Sequence, residues 1–568
     1  EVRCVTDEYN LLTQPWLPIR HRHSGALEAV GIAEALLRSH ELADLVVDVP
    51  TQVPALLRQV LLPVMVDALG PPTTREGWSK RFAAGRFTDE ERDRLSEYFD
   101  QYRDRFALFH DTRPFAQVAG LRTPKGETKG TAVLVATAAS GNNVPLFTSR
   151  TDGDPFPLTP GEAARWLLHT QCWDTAAIKS GAEGDPKVKA GKTTGNPTGP
   201  LGQLGVVVPV GRSLYETLLL NTPVHPEDMW GVPQWKRDPP FGPEWDTYAP
   251  QGLLELWTWQ SRRVRLSPEQ TGDGQRVCRV VLTAGDRISV LPEWEPHTTW
   301  TSVPNPKAGA PARRPRRHAP GKAIWQGMEA LLAVEREEKG KFHTSDLLRQ
   351  INSARVDGVI ADDYPLRVQT YGLLYGNQSA VVEDILHDAM PLPVAALRAE
   401  GEVYDLVAEA TEQAEELAQA VNSLSADLRR AQGADPIPWD KGHRPGELVL
   451  HALDPLVRRL LAGISATGTD FDVLSRGQRA WEQKAWAETM RIAERVLGTA
   501  SAGAFIGREV ADKGKKDGKK VLYSLGTAER DFRARLARIL PRAAEHRREA
   551  KPELGVASSG ASTQGQGS

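Results

Sequence analysis

The chain has 568 residues, 40% apolar and 25% charged, so it is long enough for two to four domains with buried cores. Its formal net charge of −3 excludes a chain that is basic throughout, so any contact with nucleic acid must use local basic patches. The longest apolar run, residues 60–66, contains Pro63 and is far too short for a membrane span. Cys4, Cys172 and Cys278 are too isolated for a disulfide framework or a cysteine zinc site.

The composition changes once along the chain, near residue 385, from short apolar runs separated by Gly- and Pro-rich loops to a helical pattern. We therefore predict an α+β chain with a large, irregular mixed α/β domain over residues 1–385 and a C-terminal four-helix bundle over 386–555. Residues 556–568 are almost all Gly, Ser, Gln and Ala, which is typical of a disordered tail. The first residue is Glu1 rather than methionine, which suggests a start further upstream.

The first domain combines helices and short strands. Helices are predicted at 27–40, 52–69, 162–173 and 214–221, and valine-rich strands at 132–136, 205–210 and 277–282. These elements do not follow a regular βαβ period, which argues against a doubly wound sheet. Eight of the fifteen tryptophans lie between Trp230 and Trp325, and we interpret them as the filling of an irregular core between loops.

The second domain begins with a heptad seam. Eight apolar residues from Val403 to Leu428 alternate at spacings of four and three, a pattern that expects antiparallel helical partners. Three further helices are predicted at 447–464, 476–497 and 522–540. Four helices of comparable length with short to medium connections predict a bundle.

No sequence motif indicates catalysis. The GKT at residues 191–193 matches the last three residues of the phosphate-binding loop motif. However, Pro186 stands where the motif requires its first glycine, and Gly184 lies two residues too early. Zinc-protease, hydrolase and dinucleotide-binding motifs do not occur, and His21 and His23 have no carboxylate cluster beside them. We therefore predict that the protein is not an enzyme, with nucleotide hydrolysis as an alternative that the spacing argues against.

Three loops combine basic residues with few signals of regular structure. The glycine loop, residues 181–205, has seven glycines in 25 residues, with lysines at 187, 189 and 192. The basic loop, residues 306–322, contains six lysines and arginines and no acid, and the long loop, residues 120–153, contains four more. Glycine lets a backbone approach a ligand closely, and neighbouring cations favour a phosphodiester chain. Each loop could equally be solvated without a ligand, but together they favour nucleic-acid contact.

Several segments resemble the CasA family, the large subunit of the type I-E CRISPR surveillance complex Cascade. The resemblance opens with YNLLTQPWLPI at residues 9–19 and continues with LLHTQ at 167–171. It includes LYETLLLN at 214–221 and YGNQS at 375–379, in the family's order, followed by the C-terminal helices. The similarity thus covers nearly the whole chain.

The resemblance implies a DNA-recognition subunit. CasA subunits read the protospacer-adjacent motif (PAM) of double-stranded DNA through the minor groove, help open the duplex for R-loop formation, and recruit the Cas helicase-nuclease. The implied partners are that nuclease, target double-stranded DNA, and the guide RNA-containing complex with its backbone, small and guide-end subunits. The expected location is the cytoplasm, with no membrane partner, cofactor or metal. A scaffold subunit whose loops read no motif is the alternative.

The resemblance assigns the wedge that opens the duplex to Gln378, with Asn377 and Ser379 beside it in the same turn. A glutamine side chain can stack or hydrogen-bond with the parted bases. From the residues alone, Asn377 or Ser379 could instead cap a helix that begins at Ala380.

The other carried-over positions lie on the loops. Gly195, on the glycine loop with Lys189 and Lys192, would lie against the minor groove. Arg287 would replace the lysine finger of the family. The long first loop of the family would correspond to residues 132–151, with two further DNA-binding candidates, Asn142 and Asn143, near its tip. Some relatives have cysteine clusters that hold zinc, whereas residues 267–281 here keep only Cys278, so no zinc site is expected.

Overall fold

The chain forms two compact units. The computed structural model describes residues 9–140, 156–334, 340–399, 401–438, 442, 444–511 and 520–549. The first unit ends at Tyr404 and the second begins at Asp405. This division lies beyond the predicted boundary at residue 385, because the strand Val381–Pro391 runs through that position and pairs within the first unit. The predicted tail, residues 556–568, lies outside the described residues.

The first unit mixes short helices with small sheets. Its helices are Ile32–Leu37, Gln52–Leu56, Leu57–Leu61, Leu62–Leu69, Arg75–Ala84, Asp89–Gln101, Pro160–Trp173, Leu214–Leu220, Leu253–Trp257, Met328–Leu332 and Asp346–Val356. Single 3₁₀ turns occupy Arg103–Phe106, Thr131–Val133, Pro200–Gln203, Glu227–Met229, Gln234–Lys236, Ile324–Gly327 and Val394–Leu397.

The sheets of the first unit are mainly antiparallel. One sheet orders Leu27–Val30, Leu17–His21 and Leu42–Leu45, and another orders Arg313–Pro315, Trp300–Ser302 and Phe342–His343. A third orders Val381–Pro391, Arg367–Gly376 and Val206–Val210, and a fourth combines Lys129–Gly130, Gly274–Ala284, Lys179–Ser180 and Lys192–Thr193, with Arg262–Thr271 beside Gly274–Ala284. Arg287–Ile288 pairs with Thr247–Tyr248 in parallel. The predicted α+β class is therefore confirmed.

Two predicted elements of the first unit are wrong. Residues 27–40 begin as the strand Leu27–Val30, and the helix starts only at Ile32, because Gly31 packs against the carbonyl of Leu12 at the break. Residues 132–136 form a turn instead of a strand, since Leu134 N–H donates to the Thr131 carbonyl at 3.0 Å. The predicted helices at 52–69, 162–173 and 214–221 and the strands at 205–210 and 277–282 are confirmed to within a few residues.

The helix over residues 52–69 is the apolar centre of the first unit. It is long and apolar enough to cross a membrane by length and composition, yet 89% of it is buried inside the structure. Such burial is typical of the core helix of a globular domain. Seven of the eight tryptophans from Trp230 to Trp325 are also buried, Trp294 being half-buried, as the irregular-core interpretation predicts.

The second unit is helical, as predicted. Its long helices are Glu402–Ala431, Gly446–Thr467, Phe471–Leu497 and Leu525–Ile539, with shorter ones at Ala502–Ile506 and Pro541–Glu549 and a two-stranded ribbon of Arg508–Ala511 and Lys520–Tyr523. All eight residues of the heptad seam are buried. A polar contact also joins the helices, since Trp481 Nε1 donates to Gln413 Oε1 at 2.8 Å and Gln413 Nε2 donates to the Ile539 carbonyl at 3.0 Å.

A buried ion pair joins the core helix over residues 52–69 to the segment that follows the strand Gly274–Ala284. Arg58 Nη1 donates to Glu295 Oε1 at 2.7 Å, and both side chains are almost fully buried. Burial alone would raise the pKa of Glu295, but the Arg58 guanidinium and the His297 ring outweigh it and lower the pKa to about 2. Breaking a buried pair leaves an uncompensated charge, which costs roughly 3–5 kcal/mol.

We therefore expect Arg58→Met to lower the free energy of unfolding by about 3–5 kcal/mol in urea titrations of the purified chain. The exposed pair of Arg20 and Asp44, 3.1 Å apart, provides the control, because Arg20→Met removes a surface pair worth about 1 kcal/mol or less. The Glu295 contribution is present above its unfolded pKa and disappears as pH falls towards 2, so the two curves should converge in acid. Equal stability of Arg58→Met and wild type at pH 7 would contradict this account.

Candidate nucleic-acid interface

The long hairpin, formed by strands Arg367–Gly376 and Val381–Pro391, ends in an exposed polar tip. Gly376 pairs with Val381, so residues 377–380 form the connection, and Ala380 N–H donates to the Asn377 carbonyl at 3.1 Å. Asn377, Gln378 and Ser379 have φ angles of +42°, +58° and +61°, which residues other than glycine rarely adopt. The predicted alternative of a helix starting at Ala380 is wrong, because residues 377–380 form the turn of the hairpin and a strand begins at Val381.

The tip is fastened to the backbone that follows the helix Pro160–Trp173. The Ser379 carbonyl accepts from Ala176 N–H at 2.7 Å, and the Tyr375 hydroxyl donates to the Trp173 carbonyl at 2.6 Å. Burial raises the pKa of Tyr375, so its hydroxyl keeps its proton and remains a donor. Asn377 and Gln378 are exposed beyond this anchor. The hairpin thus presents the predicted wedge residue to solvent on a held backbone.

The glycine loop contains a small hairpin with an exposed turn. The backbones of Lys189 and Lys192 exchange two hydrogen bonds of 3.0 Å, and Ala190 and Gly191 at the turn have φ of +50° and +73°. Lys192–Thr193 is a strand rather than the start of a helix, which excludes the phosphate-loop geometry of the GKT segment. Lys189 and Lys192 are exposed and form no ion pair among the described residues.

Arg287 and Gly195, predicted separately, lie together. Gly195 has φ of +68°, and a Cβ there would lie 3.6 Å from Arg287 Nη1. Arg287 Nη2 donates to the Thr194 carbonyl at 2.8 Å, and its guanidinium lies 3.8 Å from the centre of the Trp245 ring. Burial, with Arg262 nearby, lowers the pKa of Arg287. The Arg287 guanidinium therefore stabilises the backbone of the glycine loop. The sequence does not indicate this contact, because Arg287 and the loop are far apart in the chain.

A charged cluster that the sequence analysis missed holds the same loop. Arg262, 1% exposed, donates to the carbonyls of Thr175 and Pro197 at 2.7 and 2.8 Å and also to the Asp174 carboxylate. Lys179 Nζ lies 2.6 Å from the same Asp174 oxygen. The available sequence signal was a group of arginines, at 262, 263 and 265, close together in the strand Arg262–Thr271.

The other two loops adjoin the glycine loop. Arg122 of the long loop pairs with Glu183 at 2.6 Å, and Arg317 of the basic loop donates to the Gln203 carbonyl at 3.5 Å. The basic loop is partly ordered, because Arg313–Pro315 forms a strand within it. Between this loop and the long hairpin lies a cavity of about 300 Å³, and its lining combines arginine, lysine and histidine with an aspartate and several apolar residues. Asn142 and Asn143 lie outside the described residues.

The described residues offer no metal centre. In the ranges that the structure describes, no group of three His, Cys, Asp or Glu side chains could hold a metal ion. Cys172 is buried, and burial raises the pKa of its thiol to about 12, while Cys278 is half-buried.

Comparison with known proteins identifies the family of this fold. The model of the family described as CRISPR-associated protein Cse1 matches residues 10–492. A Thermus thermophilus protein named CRISPR-associated protein CasA/Cse1 is 28% identical over 521 residues, which cover 87% of this chain and 94% of the relative. The chain belongs to the Cse1 family, also called CasA, and the predicted resemblance is confirmed.

Solved structures of the family share the fold. Thermobifida fusca Cse1 has a TM-score of 0.79 and 33% identity, covering 94% of this chain and 98% of that structure. Cse1 from Acidimicrobium ferrooxidans has a TM-score of 0.74 and 28% identity, covering 95% and 98%. A chain of a structure described as a CRISPR RNA-guided surveillance complex has a TM-score of 0.60 at 21% identity, covering 86% and 99%, and this likeness shows the fold alone.

Proposed function

We propose that this chain is the large, non-catalytic subunit of a type I-E CRISPR RNA-guided surveillance complex and that it reads the PAM in double-stranded DNA through the minor groove. Membership of the Cse1 family supports the assignment to such a complex. The observation that supports PAM reading most directly is the tip of the long hairpin, where three consecutive non-glycine residues adopt left-handed backbone angles.

The backbone at this tip argues for a role of its side chains. A non-glycine residue in the left-handed region costs on the order of 1–3 kcal/mol, and glycine would remove most of that cost. Asn377, Gln378 and Ser379 are nevertheless present, and the first two are exposed, so they contribute little to the core. Amide side chains can bond to base edges and can insert between base pairs.

The neighbouring loops supply complementary chemistry. The exposed Gly195 has no side chain, so its backbone can approach the floor of a minor groove closely. The ammonium groups of Lys189 and Lys192, which form no ion pair within the described part of the chain, can bind phosphate oxygens. Minor-groove readout is degenerate, which suits a subunit that accepts several motifs. Guide pairing would then supply the remaining sequence specificity. We also propose that Gln378 helps open the duplex for R-loop formation and that the chain recruits the Cas helicase-nuclease once the duplex is open.

Duplex opening tests this proposal directly. The guide-loaded remainder of the complex, with or without this chain, is mixed with duplexes that carry 2-aminopurine beside the PAM position. We expect fluorescence to rise only when the chain is present and only on duplexes with an accepted motif. A scaffold that reads no motif would give the same signal for every duplex.

A nucleotide-hydrolysis assay on the purified chain tests the non-catalytic assignment. We expect hydrolysis of ATP or GTP at the level of the buffer blank, because the GKT segment forms a strand and a turn. Turnover that disappears in Lys192→Ala would establish the enzyme alternative instead.

A further inference from the structure

Arg262 is almost fully buried behind the glycine loop, yet its bonds go mainly to loop backbone. Its Nη2 donates to the carbonyls of both Thr175 and Pro197, at 2.7 and 2.8 Å. The same side chain also donates to the Ser261 carbonyl at 2.6 Å and to the Asp174 carboxylate. One guanidinium therefore connects the backbone before the glycine loop, at Thr175, with the backbone of the loop itself, at Pro197.

The residues that Arg262 holds flank the proposed DNA contacts. Ala176, next to Thr175, donates to the Ser379 carbonyl at the hairpin tip, so the tip is attached to the same backbone. Pro197 follows Asn196, whose side chain bonds to the carbonyls of Ala177 and Thr193 at 3.3 and 3.0 Å. A shift at Arg262 would therefore move the wedge and the glycine loop relative to each other.

We propose that Arg262, oriented by Asp174, is the positioning residue that sets the distance between the glycine loop and the wedge tip and thereby the motif preference of the complex. This inference rests on the proposed function, since it deepens the account of the same interface. Arg262 is buried and touches no DNA in this role. It acts through the backbone of Thr175 and Pro197.

The planar fork of arginine is what this position requires. Two carbonyl oxygens and a carboxylate lie around the guanidinium in directions that its fixed N–H groups match. A lysine there would keep the positive charge but would place its donors on a single nitrogen. A substitution to lysine therefore separates the geometric role from a purely electrostatic one.

The charges around the cluster support a fixed orientation. Asp174 faces both Arg262 and Lys179, which outweigh its burial and keep the pKa of its carboxyl below the ordinary value. Burial lowers the pKa of Lys179 to about 8, with Asp174 raising it and Arg262 and Lys129 lowering it. The Tyr375 hydroxyl and the neutral His169 ring also face Asp174. Asp174 therefore remains a charged partner of Arg262 throughout the neutral range.

The test compares Arg262→Lys with a matched control in the assembled complex. Arg165 is also buried, and it donates to the Trp16 carbonyl at 2.8 Å and to Asp48 at 3.3 Å, away from the loop. We measure the affinity for a duplex with the preferred motif and for one without it, together with hydrogen exchange of residues 187–196. Thermal unfolding of each variant shows any general loss of stability.

We expect Arg262→Lys to lose about tenfold or more of its preference for the motif and to exchange faster at residues 187–196, while Arg165→Lys keeps wild-type preference. Unchanged preference in Arg262→Lys would overturn the inference while leaving the proposed function standing. Equal losses in both variants would also overturn it, because they indicate general destabilisation. If the wild-type complex shows no motif preference, the proposed function fails, and this inference fails with it.

Discussion

Replacement of Gln378 by alanine is expected to abolish most of the duplex opening beside the PAM while leaving assembly of the complex intact. Unstacking one base step costs a few kcal/mol, and a wedge that occupies the opened step offsets part of that cost. Alanine at the hairpin tip is too short to reach between base pairs. Opening, measured by 2-aminopurine fluorescence, should therefore slow by about tenfold or more.

The control for this substitution is a second exposed glutamine near the end of another hairpin. Gln270 lies near the end of the strand Arg262–Thr271, which joins Gly274–Ala284, and it is exposed like Gln378. We expect Gln270→Ala to open duplexes at the wild-type rate. Wild-type opening by Gln378→Ala, with unchanged motif dependence, would show that the tip is not a wedge.

The second large effect is expected at Gly195, where any side chain would obstruct the approach of DNA. Asparagine tolerates left-handed backbone better than most residues, so Gly195→Asn should fold normally at φ of +68°. The nearest group to a Cβ there is Arg287 Nη1 at 3.6 Å, which is an ordinary contact. Binding of motif-containing duplexes by the complex should fall about tenfold or more, because the new side chain occupies the space of the groove floor.

Gly191 provides a matched position on the same loop. It is exposed with φ of +73°, and a Cβ there would meet nothing within 4 Å. Gly191→Asn should therefore carry the same backbone cost while leaving motif-dependent binding near wild type. Equal loss in the two variants would indicate that the loop is a nonspecific clamp rather than a reader at Gly195.

Elements that depend on local pattern could be predicted from the sequence. The heptad seam from Val403 to Leu428 specifies its own helix, and the largely apolar sequence at 52–69 specifies the core helix. Residues 27–40 have a helical composition, but the strand Leu27–Val30 depends on pairing with Leu17–His21 and on the close packing of Gly31. Contacts of this kind are not visible in a local window.

The candidate site also combines features that the sequence indicates with contacts that it does not. The resemblance placed Gln378 at the wedge position, but the hairpin that presents it depends on register with a strand far away in sequence, Val206–Val210. The brace between Arg287 and Gly195 and the tie made by Arg262 likewise join residues separated by 60 or more positions. Such roles follow from three-dimensional proximity of backbone carbonyls, which residue type and spacing do not encode.

The central claim is that this chain makes DNA binding depend on the PAM. The most direct measurement is duplex affinity of the guide-loaded remainder of the complex, with and without this chain, across a library of motifs at fixed salt, since phosphate contacts vary strongly with salt. We expect the chain to add about tenfold or more affinity, about 1.4 kcal/mol, for a subset of motifs and little for the others. An equal gain for every motif, or no gain, would contradict the account.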